Sequence, residues 1–118
     1  MPLMALTKEN FEATISSHEL TLVDFWAEWC GPCRVFGEVY QRVEKKFPDV
    51  IFGKVDIEKE AELAQLFGIR TIPMLMIFRK NIVVFRESGV LTESVLEEMV
   101  TKAKLLDMAE LEKNISRS

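Results

Sequence analysis

The chain has 118 residues, 48% of them hydrophobic and 29% charged, with a formal net charge of −4. That length makes one domain with enough mass to bury a core, and the balance is that of a soluble globular protein. Lys and Arg form no cluster beyond short pairs such as Lys45-Lys46, which disfavours nucleic-acid binding. No apolar run approaches the roughly 20 residues of a membrane span, so no membrane partner is expected.

Met4 to Leu6 reads as a short edge strand. Thr7 is placed to cap a helix running to about Ser16, with Phe11 and Ile15 facing inward. Leu20 to Trp26 (LTLVDFW) is β-branched and aromatic, as a buried strand should be. Arg34 to Phe47 carries Phe36, Val39, Tyr40, Val43 and Phe47 at helical spacing and ends at Phe47-Pro48-Asp49. Val50 to Asp56 is a second buried strand, and Lys59 to Phe67 a short helix that Gly68 stops. Met74 to Phe78 and Ile82 to Glu87 form a hairpin across Arg79-Lys80-Asn81, where Asn81 suits a left-handed backbone. Thr92 caps a last helix whose inner face includes Val95, Leu96, Met99, Val100 and Ala103. The order β-α-β-α-β-α-β-β-α predicts an α/β fold, a central mixed sheet of four to five strands flanked by four helices. The domain is expected over 1–105. In the tail, 106–118, Met108, Leu111 and Ile115 have rough helical spacing, so it either extends the last helix or frays.

Both cysteines lie in Trp29-Cys30-Gly31-Pro32-Cys33, between the first buried strand and the helix after it. Cys30 then sits just before the helix and Cys33 in its first turn, with Pro32 near the first helical position, where its missing N–H is harmless. Helix N-termini present unpaired N–H groups and partial positive charge, which favour a thiolate. Cys30, expected to be the more exposed sulfur, is the nucleophile, and Cys33 is close enough to close a disulfide with it. A zinc or iron–sulfur site needs about four ligands, against two Cys and one distant His18, so no metal is expected. A structural disulfide closing so short a loop removes little unfolded-state entropy. A redox pair is the reading that remains. Two cysteines are too few for a secreted disulfide framework and point to a reducing compartment. The opening MPLMALTKEN lacks the basic and apolar regions of a signal peptide, so the cytoplasm is the expected location.

Asp24 is the odd residue of its strand, between Val23 and Phe25-Trp26. Buried there, its carboxyl pKa is raised by desolvation, and it is placed to accept the proton that Cys33 must lose. The alternative is an Asp on a half-exposed strand face. Pro73 precedes a strand and marks its start, an edge or a bend. Trp26 supports the core beneath the site, and His18, in a polar loop, is solvated. Gly31-Pro32 tunes the pair by what is absent: with no His between the cysteines, the reduced form is not specially stabilised and the protein should be a reductant.

VDFWAEWCGPC, then GIRTIP, then SGVL, spaced as they are here, resemble the thioredoxin family over roughly residues 4 to 105. The resemblance implies the thioredoxin fold and a protein-disulfide reductase with Cys30 attacking, Cys33 resolving and Asp24 assisting. Lys54 on the next strand completes that catalytic set by biasing the charge of Asp24. It further implies a cis bond before Pro73, which leaves the Ile72 backbone free to pair with an extended substrate. Trp29, Ile72, Gly89 and Val90 would form an apolar docking rim. No bound cofactor is implied; reducing equivalents come from NADPH through a thioredoxin reductase, and the other partners are disulfide-containing protein substrates of a monomeric chain. Gly37-Glu38 replaces the mid-helix proline of many members, Met74 a more usual Thr, and Asn81 a common Gly. An oxidase or isomerase domain, and a docking module with incidental thiols, are the competing readings.

Overall fold

The computed structural model describes residues 3–117, with side chains as far as 113. In chain order the elements are β1 (Met4–Ala5), α1 (Phe11–Ser17), β2 (Thr21–Trp26), α2 (Gly31–Glu44), β3 (Ile51–Asp56), α3 (Ala61–Leu66), β4 (Met74–Arg79), β5 (Ile82–Ser88), α4 (Glu93–Leu105) and α5 (Met108–Arg117). The strands form one sheet in the order β1-β3-β2-β4-β5. β3 runs parallel to β1 and β2, whereas β4 is antiparallel to β2 and β5 to β4. The mixed sheet of the sequence reading is therefore present, with all five strands.

The pleat sorts the side chains into two layers. Leu20, Leu22, Phe52, Leu75 and Ile77 pack with Phe36, Val39, Tyr40 and Val43 of α2 and Leu96, Val100 and Ala103 of α4. Val23, Phe25, Val55, Met74, Met76 and Phe78 pack with Leu6, Phe11, Ile15 and Leu63 on the other side. By the same alternation Asp24 shares the face of Leu20 and Leu22, under α2. Gly53 marks a close approach: a Cβ there would overlap the Leu6 side chain and stand 3.2 Å from the Leu22 carbonyl oxygen. That absence of side chain lets β1 close over β3.

Several boundaries differ from expectation for identifiable reasons. α1 begins at Phe11, because Thr7–Asn10 forms its own turn in which Asn10 Oδ1 accepts from the Thr7 N–H at 2.7 Å. α3 is shorter than the predicted helix, since Asp56 Oδ1 accepts from the Glu58 N–H and holds the preceding residues in a turn. In the hairpin it is Lys80, not Asn81, that takes the left-handed conformation, at φ 53°. Asn81 instead accepts a hydrogen bond from Ser16 through its side chain. Val95 is exposed, leaving Leu96, Val100 and Ala103 to bury the inner face of α4. The described residues form five helices, one more than expected. The tail does not continue α4: Leu106 is extended (ψ 138°) and breaks the helix. Asp107 then caps α5, its Oδ1 accepting from the Glu110 N–H at 3.1 Å. The Ile115 side chain lies outside the described residues.

Candidate active site

β2 delivers Trp26 and Ala27 to the end of the sheet, and the chain then turns into α2 through Cys30 and Pro32. Cys30 is the N-cap residue of α2 (φ −92°, ψ 108°), and its sulfur accepts the Cys33 backbone N–H at 3.2 Å. Cys30 and Cys33 are joined by a disulfide, with Cα atoms 5.2 Å apart. In the reduced protein that same N–H, at the positive end of the helix, favours a thiolate on Cys30. Both residues are buried in this oxidised state, Cys30 at 5% exposure and Cys33 at 3%, so the expected difference in exposure is small here. They form a satellite cluster with Ala27, packed by Trp26, Ile57 and Ile72.

Ile72 and Pro73 face this pair. Their peptide bond is cis, and the Ile72 carbonyl oxygen stands 3.9 Å from Cys30 Sγ. The Pro73 carbonyl accepts the N–H of Gly89, whose φ of 91° suits glycine alone. Trp29 is 66% exposed and Val90 44%, and Ile72 is half-buried. Of the residues expected to form an apolar rim, Trp29 adjoins Cys30 in sequence, Ile72 packs on the pair, and Gly89 is tied to Pro73.

Asp24 is wholly buried, and neither carboxylate oxygen has a hydrogen-bond partner among the described residues. Burial pushes its pKa up from 3.8 to about 7, against the opposing pull of the Lys54 charge. The half-exposed alternative is excluded. Lys54 lies directly opposite Asp24 in the β2–β3 register, with Nζ 4.6 Å from the Trp26 ring centroid. Tyr40, wholly buried, donates its hydroxyl hydrogen to the Gly53 carbonyl at 2.8 Å. Burial first, and the Asp24 charge second, hold its pKa well above the ordinary value.

Sequence reasoning missed two residues at the rim. Glu58 accepts the Trp29 indole N–H at 2.7 Å, and Arg34 donates to the Glu28 carbonyl at 2.9 Å, tying down the loop before Cys30. Neither has a local signal, because each acts on a partner that only the fold brings near. His18 is half-buried rather than solvated, with Nδ1 2.9 Å from the Thr14 carbonyl oxygen at the end of α1, away from the site. Among the described residues no cluster of His, Cys, Asp and Glu is fit to hold a metal ion, and no helix is long and apolar enough to cross a membrane.

A disulfide at a helix N-terminus, beside the exposed Trp29, is suited to thiol–disulfide exchange. Residues 2–102 match the family model described as Thioredoxin. The chain is 50% identical over 111 residues to a putative thioredoxin 2 of Streptomyces coelicolor, covering 94% of this chain and 83% of that one. It is 34% identical over 100 residues to a thioredoxin of Buchnera aphidicola, covering 83% and 93%. Among solved structures, a Plasmodium falciparum thioredoxin superposes with a TM-score of 0.78 at 30% identity, over 84% of this chain and 97% of that one. A mutant thioredoxin from Halobacterium salinarum does so with a TM-score of 0.83, over 90% and 94%; at 24% identity it speaks to the fold alone. By this family match, and with its Cys30–Cys33 disulfide at the head of α2, the chain belongs to the thioredoxin family of thiol-disulfide oxidoreductases.

Proposed function

We propose that the protein works as a reductant of protein disulfides, with Cys30 attacking and Cys33 resolving. The observation that carries this assignment is the Cys33 N–H directed at Cys30 Sγ from the first turn of α2. The Cys30 thiolate attacks one sulfur of the substrate disulfide, giving a mixed disulfide and a substrate thiolate that takes a proton from water. Cys33 then loses its proton to Asp24 and attacks Cys30 Sγ. This releases the second substrate thiol and closes the Cys30–Cys33 disulfide, so two electrons pass to the substrate. With a pKa of about 7, Asp24 is matched to accept a proton near neutral pH. Lys54 biases that carboxyl group toward its charged form. Gly31-Pro32 supplies no charge that would stabilise the reduced pair, which favours reduction over oxidation of substrates.

Docking is assigned to Trp29, Ile72, Pro73, Gly89 and Val90: Trp29 and Val90 supply exposed apolar surface of the kind that marks protein-binding sites, Ile72 is half-buried and Pro73 is buried. The Ile72 backbone pairs with an extended substrate segment, and Trp26 supports the site from below. Restoring the dithiol takes two electrons from NADPH through a thioredoxin reductase, in a cytoplasmic cycle in which the chain acts as a monomer. The domain is assigned to 1–105, with 106–118 as an appended tail.

The test is reduction of insulin disulfides coupled to NADPH oxidation by a thioredoxin reductase. Multiple turnovers are expected from the parent and none from Cys30→Ser. Activity surviving in a Cys30→Ser, Cys33→Ser double variant would mean that docking, not thiol chemistry, is the function.

A further inference from the structure

Gly37 stands in the middle of α2 (Gly31–Glu44), and its φ is not positive. A glycine there lowers helix propensity without any backbone need. What it provides is space. A Cβ at Gly37 would stand 3.8 Å from Lys54 Nζ, with no other heavy atom within 4 Å apart from its chain neighbours and the backbone of its own helix. The same ammonium lies 4.6 Å from the Trp26 ring centroid. The Lys54 side chain is thus laid between an indole face and the bare backbone of α2. Its alternative is an open cleft of about 280 Å³ that Lys54 lines together with Trp26, Asp56 and Glu60, the last two offering carboxylates.

We propose that position 37 is a positioning site: by carrying nothing larger than a methyl group it lets the Lys54 ammonium lie across Trp26 against α2, the place from which its charge faces Asp24. The groups that face Asp24 are few. β3 contributes Lys54 opposite it, α2 contributes Tyr40, and β4 contributes the apolar Leu75. With Tyr40 protonated throughout the neutral range and the cysteines joined, Lys54 is the one charge among these groups whose position can change. The consequence for turnover rests on the proton-acceptor role proposed for Asp24; the position of Lys54 does not.

The oxidised full-length protein and its Gly37→Ala, Gly37→Leu and Lys54→Met variants test this by NMR. The Lys54 ε-methylene protons should be shifted upfield by the Trp26 ring in the parent. They should stay so in Gly37→Ala, because 3.8 Å is an ordinary contact, and move to unperturbed lysine positions in Gly37→Leu. In a carboxyl-carbon titration, Lys54→Met should raise the Asp24 midpoint by about one unit, the low end of what a facing opposite charge produces. Gly37→Leu should shift it in the same direction, and should add nothing when combined with Lys54→Met. Gly37→Met, unbranched, carries the same readouts if the leucine variant does not fold. An unmoved Lys54 resonance in the bulky variant overturns the proposal, as does an Asp24 shift that adds in full to that of Lys54→Met. Single-turnover rates on the same proteins answer separately: a displaced Lys54 with unchanged rates would leave the role of Gly37 standing and count against that of Asp24.

Discussion

Asp24 combines complete burial with two unpartnered carboxylate oxygens, and its consequences are measurable as a pH dependence of stability. Its folded pKa of about 7 lies above the ordinary 3.8, because burial penalises the charged form. Between those values the unfolded chain has released the proton and the folded chain retains it. Stability therefore falls as pH rises through that window and levels off above the folded pKa. Asn is neutral throughout, so the advantage of Asp24→Asn over the parent should be least in acid, widen toward neutrality and then stay constant. A shift of about 3 units (7 − 3.8) sets an upper bound of about 4 kcal/mol on that gain. Denaturant titrations of both oxidised proteins across a pH series check it; equal gaps at about pH 4 and about pH 8 would reduce Asp24 to an ordinary strand residue. The same substitution should slow the attack of Cys33 on the mixed disulfide, read in single-turnover kinetics. Asp24 was legible in the sequence, because the apolar strand around it leaves a carboxylate no route to water. Glu58 and Gly37 were not: their meaning comes from Trp29 and Lys54, which reach them only through the fold.

Elements with local signals were read correctly and those decided by competing contacts were not. Thr92 caps α4 as its sequence position suggests, accepting the Val95 N–H at 3.2 Å. Thr92→Ala should cost about 1 kcal/mol in chemical denaturation without changing the active site; a cost near zero would mean that water replaces the cap. Thr7 carries the same local signal and does accept the Asn10 N–H through Oγ1 at 3.4 Å, with Asn10 Oδ1 returning a bond to the Thr7 N–H; only the start of the helix, at Phe11, lies later than expected. Lys80 takes the left-handed turn position although Asn81 is the better intrinsic choice, and the Asn81 side chain meets Ser16, a partner no local reading contains. Gly53 makes a sharper test of the sheet edge. Gly53→Ala forces a methyl group into Leu6 and toward the Leu22 carbonyl, and should destabilise by roughly 1–3 kcal/mol. The companion Leu6→Ala should relieve part of that cost when combined with it. Strictly additive losses would show that Leu6 is not what Gly53 accommodates.

At the scale of the molecule, alternating strands and helices made a mixed α/β sheet readable, whereas the order β1-β3-β2-β4-β5 depends on pairings distant in sequence. The joint between α2 and α4 is apolar at its centre and ionic at its rim, where Arg42 meets Glu93 at 2.8 Å and Lys46 meets Glu97 at 2.7 Å. Such exposed pairs contribute little and are screened by salt, so the core carries that joint. α5 begins after an extended Leu106 and is capped within its own first turn, beyond the region of the family match. Removal of residues 108–118 should leave cooperative unfolding and insulin reduction close to those of the parent. A large loss of either would make α5 part of the working domain.

The order of events at the two sulfurs is the central claim, and mass spectrometry of reduced Cys33→Ser mixed with insulin tests it most directly. The account predicts a covalent adduct between Cys30 and an insulin chain that persists until an external thiol is added, because attack survives while resolution is lost. Release of reduced insulin chains at the parent rate, or formation of the same adduct through Cys33 in a Cys30→Ser variant, would contradict it.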